Sequence, residues 1–175
     1  MKKVLFFLLF AFSFSFGQVK EFPLKDEDFS AFLMNYETPF YGEISTSKTV
    51  IQLRIQKATK NPNKKEQYFI SGYSDVEGNK SDFSGEIIFT QKYNVNNEPN
   101  DMLVFADFTM KELGSDKHSG EFKGKLRIQT LKKITKESKA TVTFKGKWKN
   151  YSDTLDFDVW WANFVPTDIS KVIFK

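Results

Sequence analysis

The sequence predicts an all-β protein: an antiparallel up-and-down β-barrel of about eight strands with a short N-terminal helix, or alternatively a two-sheet β-sandwich. Three observations carry this. From Pro39 to about Phe164, apolar and polar residues alternate with period two. The apolar positions are rich in Phe, Ile and Val, residues that suit a pleated, half-buried surface. A motif of Phe, any residue, Gly, charged, apolar also recurs four times, as FYGEI at 40–44, FSGEI at 83–87, FKGKL at 122–126 and FKGKW at 144–148.

The chain opens with MKKVLFFLLFAFSFSFGQ: Lys2 and Lys3, an apolar run from Val4 to Phe16, and small residues at Ser15 and Gly17. This is the layout of an export signal, expected over residues 1–17 with cleavage after Gly17. The run is shorter than the roughly 18–20 residues of a membrane-crossing helix. The expected location is therefore periplasmic or secreted. There is no cysteine, which removes disulfides, thiolate metal sites, a lipid-modified cysteine and a cysteine nucleophile from consideration.

Residues 18–38 form a lead-in. Within it LKDEDFSAFLMNYE (24–37) predicts an amphipathic helix, with Phe29, Phe32, Leu33 and Tyr36 on one face and acids near its start. Residues 39–175 read as one domain with a C-terminal tail. Its strands are expected at 39–46, 49–58, 67–75, 82–93, 102–111, 121–131, 140–150 and 154–164. NPN, EGNK, NNEPN, GSD and NYSD mark turns between them, and no proline falls inside a strand except Pro39 at a start. Short connections imply an antiparallel meander, and closing it removes the exposed edges. A mid-strand glycine costs about 0.5–1 kcal/mol, so glycine at four apolar-face positions implies bending points where a sheet coils and closes.

In the seventh strand Val142, Phe144, Gly146 and Trp148 share a face, and in the eighth Leu155, Phe157, Val159 and Trp161 do. A turn at 150–153 would set Lys149 opposite Thr154, Lys147 opposite Asp156, Lys145 opposite Asp158 and Gly146 opposite Phe157. Trp160, Leu103 and Phe105 fall on polar faces, where they either mark a protein–protein surface or, the favoured reading, are covered by the lead-in helix and the tail.

The chain carries a net charge of +4, unevenly spread: residues 121–150 hold nine Lys and one Arg against Glu121 and Glu137. This basic hairpin is a candidate surface for an anionic partner. Nucleic acid is not expected, because Phe122, Phe144 and Trp148 point away from the basic face. His118 is the single histidine, in the loop GSDKHSG, and reads as an exposed loop residue rather than part of a catalytic set. SDVEGNKSD (74–82) has the acids of a calcium loop without its spacing and reads as a hairpin turn. No metal site, cofactor motif or catalytic residue is expected. The apolar faces supply the candidate ligand-binding residues instead: Phe83, Phe89, Phe108, Phe122, Phe144, Trp148, Phe157 and Trp161. An eight-stranded barrel is just wide enough to be filled by side chains or to hold one small ligand. The glycines remove side-chain volume from this lining, which favours a cavity for a lipid, pigment or small aromatic molecule.

The expected signal, short leading helix and glycine-kinked meander resemble the calycin-like barrels, the group of lipocalins and avidins. Lipocalins carry Gly-x-Trp on their first strand; here the first strand reads FYGEIS, and GKW stands at 146–148 on the seventh. The resemblance implies an apolar ligand site at a barrel mouth, and an exported, soluble, non-enzymatic function. Two other readings fit the same pattern: a protein–protein or inhibitor module of the cell envelope, and a small outer-membrane β-barrel whose apolar face meets lipid. The interior-facing Phe and exterior Lys favour a soluble barrel, not inserted in a membrane after signal cleavage.

Overall fold

The computed structural model of the chain describes residues 21–44, 48–135, 137–164 and 174. The expected export signal and residues 165–173 lie outside them. The period-two pattern becomes eight strands: β1 (Phe40–Ile44), β2 (Thr49–Asn61), β3 (Lys64–Val76), β4 (Asn79–Val95), β5 (Glu98–Glu112), β6 (Gly120–Leu131), β7 (Ala140–Asn150) and β8 (Asp156–Ala162). Each pairs antiparallel with the next, and β8 returns to β1, so the sheet closes into a ring. The ring is not evenly round, which brings it toward the two-sheet sandwich.

Several strands outrun their sequence-based limits because the turns are tighter. Pro62–Asn63, Glu77–Gly78 and Asn96–Asn97 alone join β2 to β3, β3 to β4 and β4 to β5. Glu77 and Gly78 both take left-handed backbone, at φ 53° and 86°, which matches the twist of a two-residue hairpin. Pro99 therefore lies inside β5, against expectation. It sits where the β4–β5 register shifts beside Asn94 and Val95, so it owes no N–H to that ladder.

Inward positions make one core. Phe144 stacks on Trp161 at 5.4 Å, and Phe40 and Phe108 each meet Phe144 edge-on at 5.3 Å. The repeated glycines belong to this face, but they do not supply the cavity space expected of them. A Cβ on Gly146 would lie 2.3 Å from the Lys123 carbonyl oxygen and 2.9 Å from Gly124 Cα. One on Gly42 would lie 1.7 Å from the Trp160 carbonyl oxygen. Neighbouring backbone already fills the space a side chain would need, so these glycines permit close strand approach rather than opening a cavity.

The β7–β8 register is offset by two residues from the expected one. Lys149 opposes Asp156, Lys147 opposes Asp158, and Gly146 opposes Val159. The cause is Asn150, whose Oδ1 accepts from Thr154 N and Leu155 N, both at 2.9 Å, and holds a wider loop over 151–155.

The lead-in closes one end of the ring. Its helix, α1 (Ser30–Met34), is much shorter than expected and stops at Asn35, in left-handed backbone. The barrel end takes the backbone groups that a longer helix would have used. The Phe29 N–H donates to the Tyr68 hydroxyl at 3.0 Å, and the Glu27 carbonyl accepts from Lys60 Nζ at 2.6 Å and from Tyr68 at 3.2 Å. Phe29, Phe32 and Leu33 are buried as expected and Phe22 joins them, with Phe22 and Phe29 against Phe89 at 5.5 and 4.4 Å. Tyr36, by contrast, is exposed. On the outer surface Phe105 is buried, with Tyr93 edge-on at 5.7 Å, while Leu103 and Trp160 are half-buried.

Candidate functional site

The plug leaves the opposite end of the ring, where β3–β4, β5–β6 and β7–β8 are joined, as the place where a ligand could enter. A cavity of about 740 Å³ opens there. Phe122, Trp148 and Phe157 form an aromatic wall, with Ile44, Ile51, Val76 and Leu155 around it. Trp148 and Phe157 lie nearly parallel, with centroids 5.9 Å apart. A second depression, about 880 Å³, lies between the plug and the β2–β3 turn. Exposed Lys64 and Lys65 and half-buried Glu66 border it and, among the described residues, no buried polar group converges on it, so the mouth is the better site.

A carboxylate lies in the wall of the mouth cavity. Glu112, at the end of β5, is only 6% exposed. Its Oε1 accepts from Ser74 Oγ at 2.9 Å; its Oε2 accepts from Gly120 N and Trp148 Nε1, each at 2.9 Å. One side chain thus ties together β3, β5, β6 and β7. Burial pushes the Glu112 carboxyl above its ordinary pKa, and nearby Asp116 adds to this, although the three donors pull the other way. None of the ion pairs among the described residues includes Glu112.

Sequence reading missed this residue because it ended the fifth strand at 111. The signal was present: Met102, Val104, Ala106, Phe108 and Met110 set an inward parity that Glu112 continues. Ser74 continues the inward parity of Tyr68, Ile70 and Gly72 on β3 in the same way.

The rim is held in place by hydrogen bonds between its loops. Asn150 Nδ2 donates to the Lys117 carbonyl at 2.9 Å, and the Tyr151 hydroxyl donates to the Glu112 carbonyl at 2.6 Å. The β5–β6 and β7–β8 loops are therefore fixed relative to each other before anything binds. His118 sits exposed on this rim.

The eight expected binding residues divide into three groups. Phe122, Trp148 and Phe157 line the cavity. Phe83, Phe108, Phe144 and Trp161 are sealed in the core. Phe89 lies at the far end, under the plug.

Comparison with protein families, with curated proteins and with solved structures finds no match to this chain. Among the described residues, no three His, Asp or Glu side chains gather as a metal site.

The basic hairpin carries directly opposed lysines, Lys123 with Lys147 and Lys125 with Lys145. Such pairs repel. Acids from flanking strands relieve them: Asp107 pairs with Lys125, and Lys147 reaches Asp156 at 3.0 Å and Asp158 at 3.3 Å. These exposed pairs contribute little to stability individually.

Proposed function

We propose that this protein is an exported, non-enzymatic carrier of calycin-like architecture that binds a small molecule with a flat, apolar body at the open mouth of the barrel. The observation that carries this reading is the 740 Å³ cavity with its stacked Trp148–Phe157 wall, a volume within the range of small-molecule sites. The packed rings beneath it leave the mouth, rather than the full length of the lumen, as the place for a ligand. Exposed lysines and aspartates on the outer face support a barrel surrounded by water over one embedded in lipid. They also support reading the basic hairpin as a solvated surface balanced by its acids, with an anionic partner as the second reading. The burial of Phe105 leaves the protein–protein module with less support than the carrier.

The test is titration with N-phenyl-1-naphthylamine, an uncharged aromatic probe whose fluorescence rises in apolar surroundings. Saturable binding of one probe per chain is expected. It should weaken about tenfold in Phe157→Ala, the order expected for losing most of one aromatic contact surface. A lack of saturable binding, or an unchanged affinity in that variant, overturns the proposal.

A further inference from the structure

We infer that the ligand is an organic cation, a small ammonium-bearing molecule whose flat body lies on Trp148 and Phe157 while its N–H group hydrogen-bonds to Glu112. This rests on the mouth being a small-molecule site and adds the chemical class.

Three features converge on it. First, the three donors that reach Glu112 are all neutral, namely a hydroxyl, an indole N–H and a backbone N–H. They solvate the carboxylate without cancelling its charge. A carboxylate has roughly four acceptor positions, so one remains for a ligand. Second, the other charged groups at the mouth add to the negative field. Glu77 and Asp116 line it with Glu112, against Lys80 and the exposed His118. Lys80 places its ammonium over the Tyr73 ring, 4.8 Å from the centroid. An anionic ligand would meet three carboxylates. A neutral apolar one without an N–H donor would bind more weakly, because it would strip water from Glu112 and return no hydrogen bond. Third, aromatic faces attract cations, and the wall beside Glu112 consists of Phe122, Trp148 and Phe157.

A purely structural role does not account for the charge. Glutamine at 112 could keep the Gly120 and Trp148 bonds through its carbonyl oxygen. Its amide would then donate to Ser74 Oγ, whose hydroxyl could turn to the Ser81 carbonyl, 3.4 Å away. A neutral residue would therefore hold the four strands equally well.

Calorimetric titration at pH 7.5 with tryptamine and with tryptophol, its uncharged hydroxyl counterpart, tests the inference. Wild type should bind tryptamine about 10- to 100-fold more tightly, the range one charge-assisted hydrogen bond spans. Glu112→Gln, checked for fold by circular dichroism and melting, should bring the two affinities within about threefold, below what such a bond is worth. If that variant does not fold, the wild-type preference itself decides. It should shrink as pH falls and Glu112 takes up a proton, Asp116, Glu77, His118 and Lys80 being the other titratable groups that line the site. Equal affinities in wild type, or a tryptamine preference that survives Glu112→Gln, overturns the inference. If N-phenyl-1-naphthylamine binds and tryptamine does not, the cation assignment fails while the small-molecule reading stands. If none of the three binds, both fail.

Discussion

Replacing Gly146 with alanine adds one methyl group to the middle of β7, and the structure says what that methyl meets. Its carbon would lie 2.3 Å from the Lys123 carbonyl oxygen, where ordinary contact begins at 3.4 Å. The obstacle is backbone on β6, which cannot rotate aside, so the strands must part locally by roughly an ångström. Overpacking of this kind typically costs about 1–3 kcal/mol. Against it stands about 0.4–1 kcal/mol gained because alanine restricts the unfolded chain. The expected result is a net loss of about 1–2 kcal/mol, a fall in Tm of about 2–8 °C for a chain of this size. Urea unfolding followed by tryptophan fluorescence would report it as a lower midpoint at unchanged slope. Ser84→Ala, on the exposed face of β4, serves as the control and should stay within about 0.5 kcal/mol of wild type. Gly124 directly opposes Gly146, so the double variant should cost less than the sum of the single ones, since one separation of the strands accommodates both methyls. A Gly146→Ala protein that melts at or above the wild-type temperature would refute the close-approach argument, and so would strict additivity.

Glu112→Ala should be far worse than Glu112→Gln. It leaves Trp148 Nε1 and Gly120 N buried without an acceptor, at about 1–3 kcal/mol each, and a thermal melt should show the difference. The pH dependence follows from the same residue. A raised carboxyl pKa means the folded state holds the proton more tightly than the unfolded one, so this contribution to stability declines as pH rises from 4.5 upward. The stability of Glu112→Gln relative to wild type should therefore increase over that interval; a constant difference would exclude a raised pKa. Tyr68→Phe removes the hydroxyl that accepts from Phe29 N, and should cost about 1–3 kcal/mol. It should also speed amide exchange at Phe29 more than at residues of β7, because it loosens the plug before the ring.

Much of this architecture was legible because burial inside a closed sheet imposes a strict parity, and Phe–Lys alternation displays it openly. The inward faces of β7 and β8 could be read residue by residue for that reason. Their relative register could not, because it depends on where the Asn150 side chain places its hydrogen bonds, and a loop of polar residues is compatible with more than one width. The helix was over-extended for a related reason. Helical periodicity at 24–37 is real, but Tyr68 and Lys60, remote in sequence, capture the backbone at 27–29. The site was half visible: Phe122, Trp148 and Phe157 stand out by composition, and Glu112 was hidden only by ending its strand one residue early. Nothing in the sequence separated those three aromatics from Phe108, Phe144 and Trp161, since all share the inward parity and only height along the barrel distinguishes them.

The seam of the ring bears on the order in which the protein assembles. Among the described residues, every ladder except one joins strands adjacent in the chain; the exception, from Tyr41 opposite Ala162 to Ile44 opposite Val159, joins the first strand to the last. Hairpins from β2 to β7 can zip one after another over short loops, each at a small entropic cost, whereas the seam has to gather the two ends of the meander. It is also short, and Gly42 at its centre offers no side chain to grip its neighbour. The seam is thus the last ladder to form and the first to part. Opening it would uncover Trp161 while the rest of the sheet stays paired, so the route by which this barrel comes undone starts between its ends rather than at its mouth.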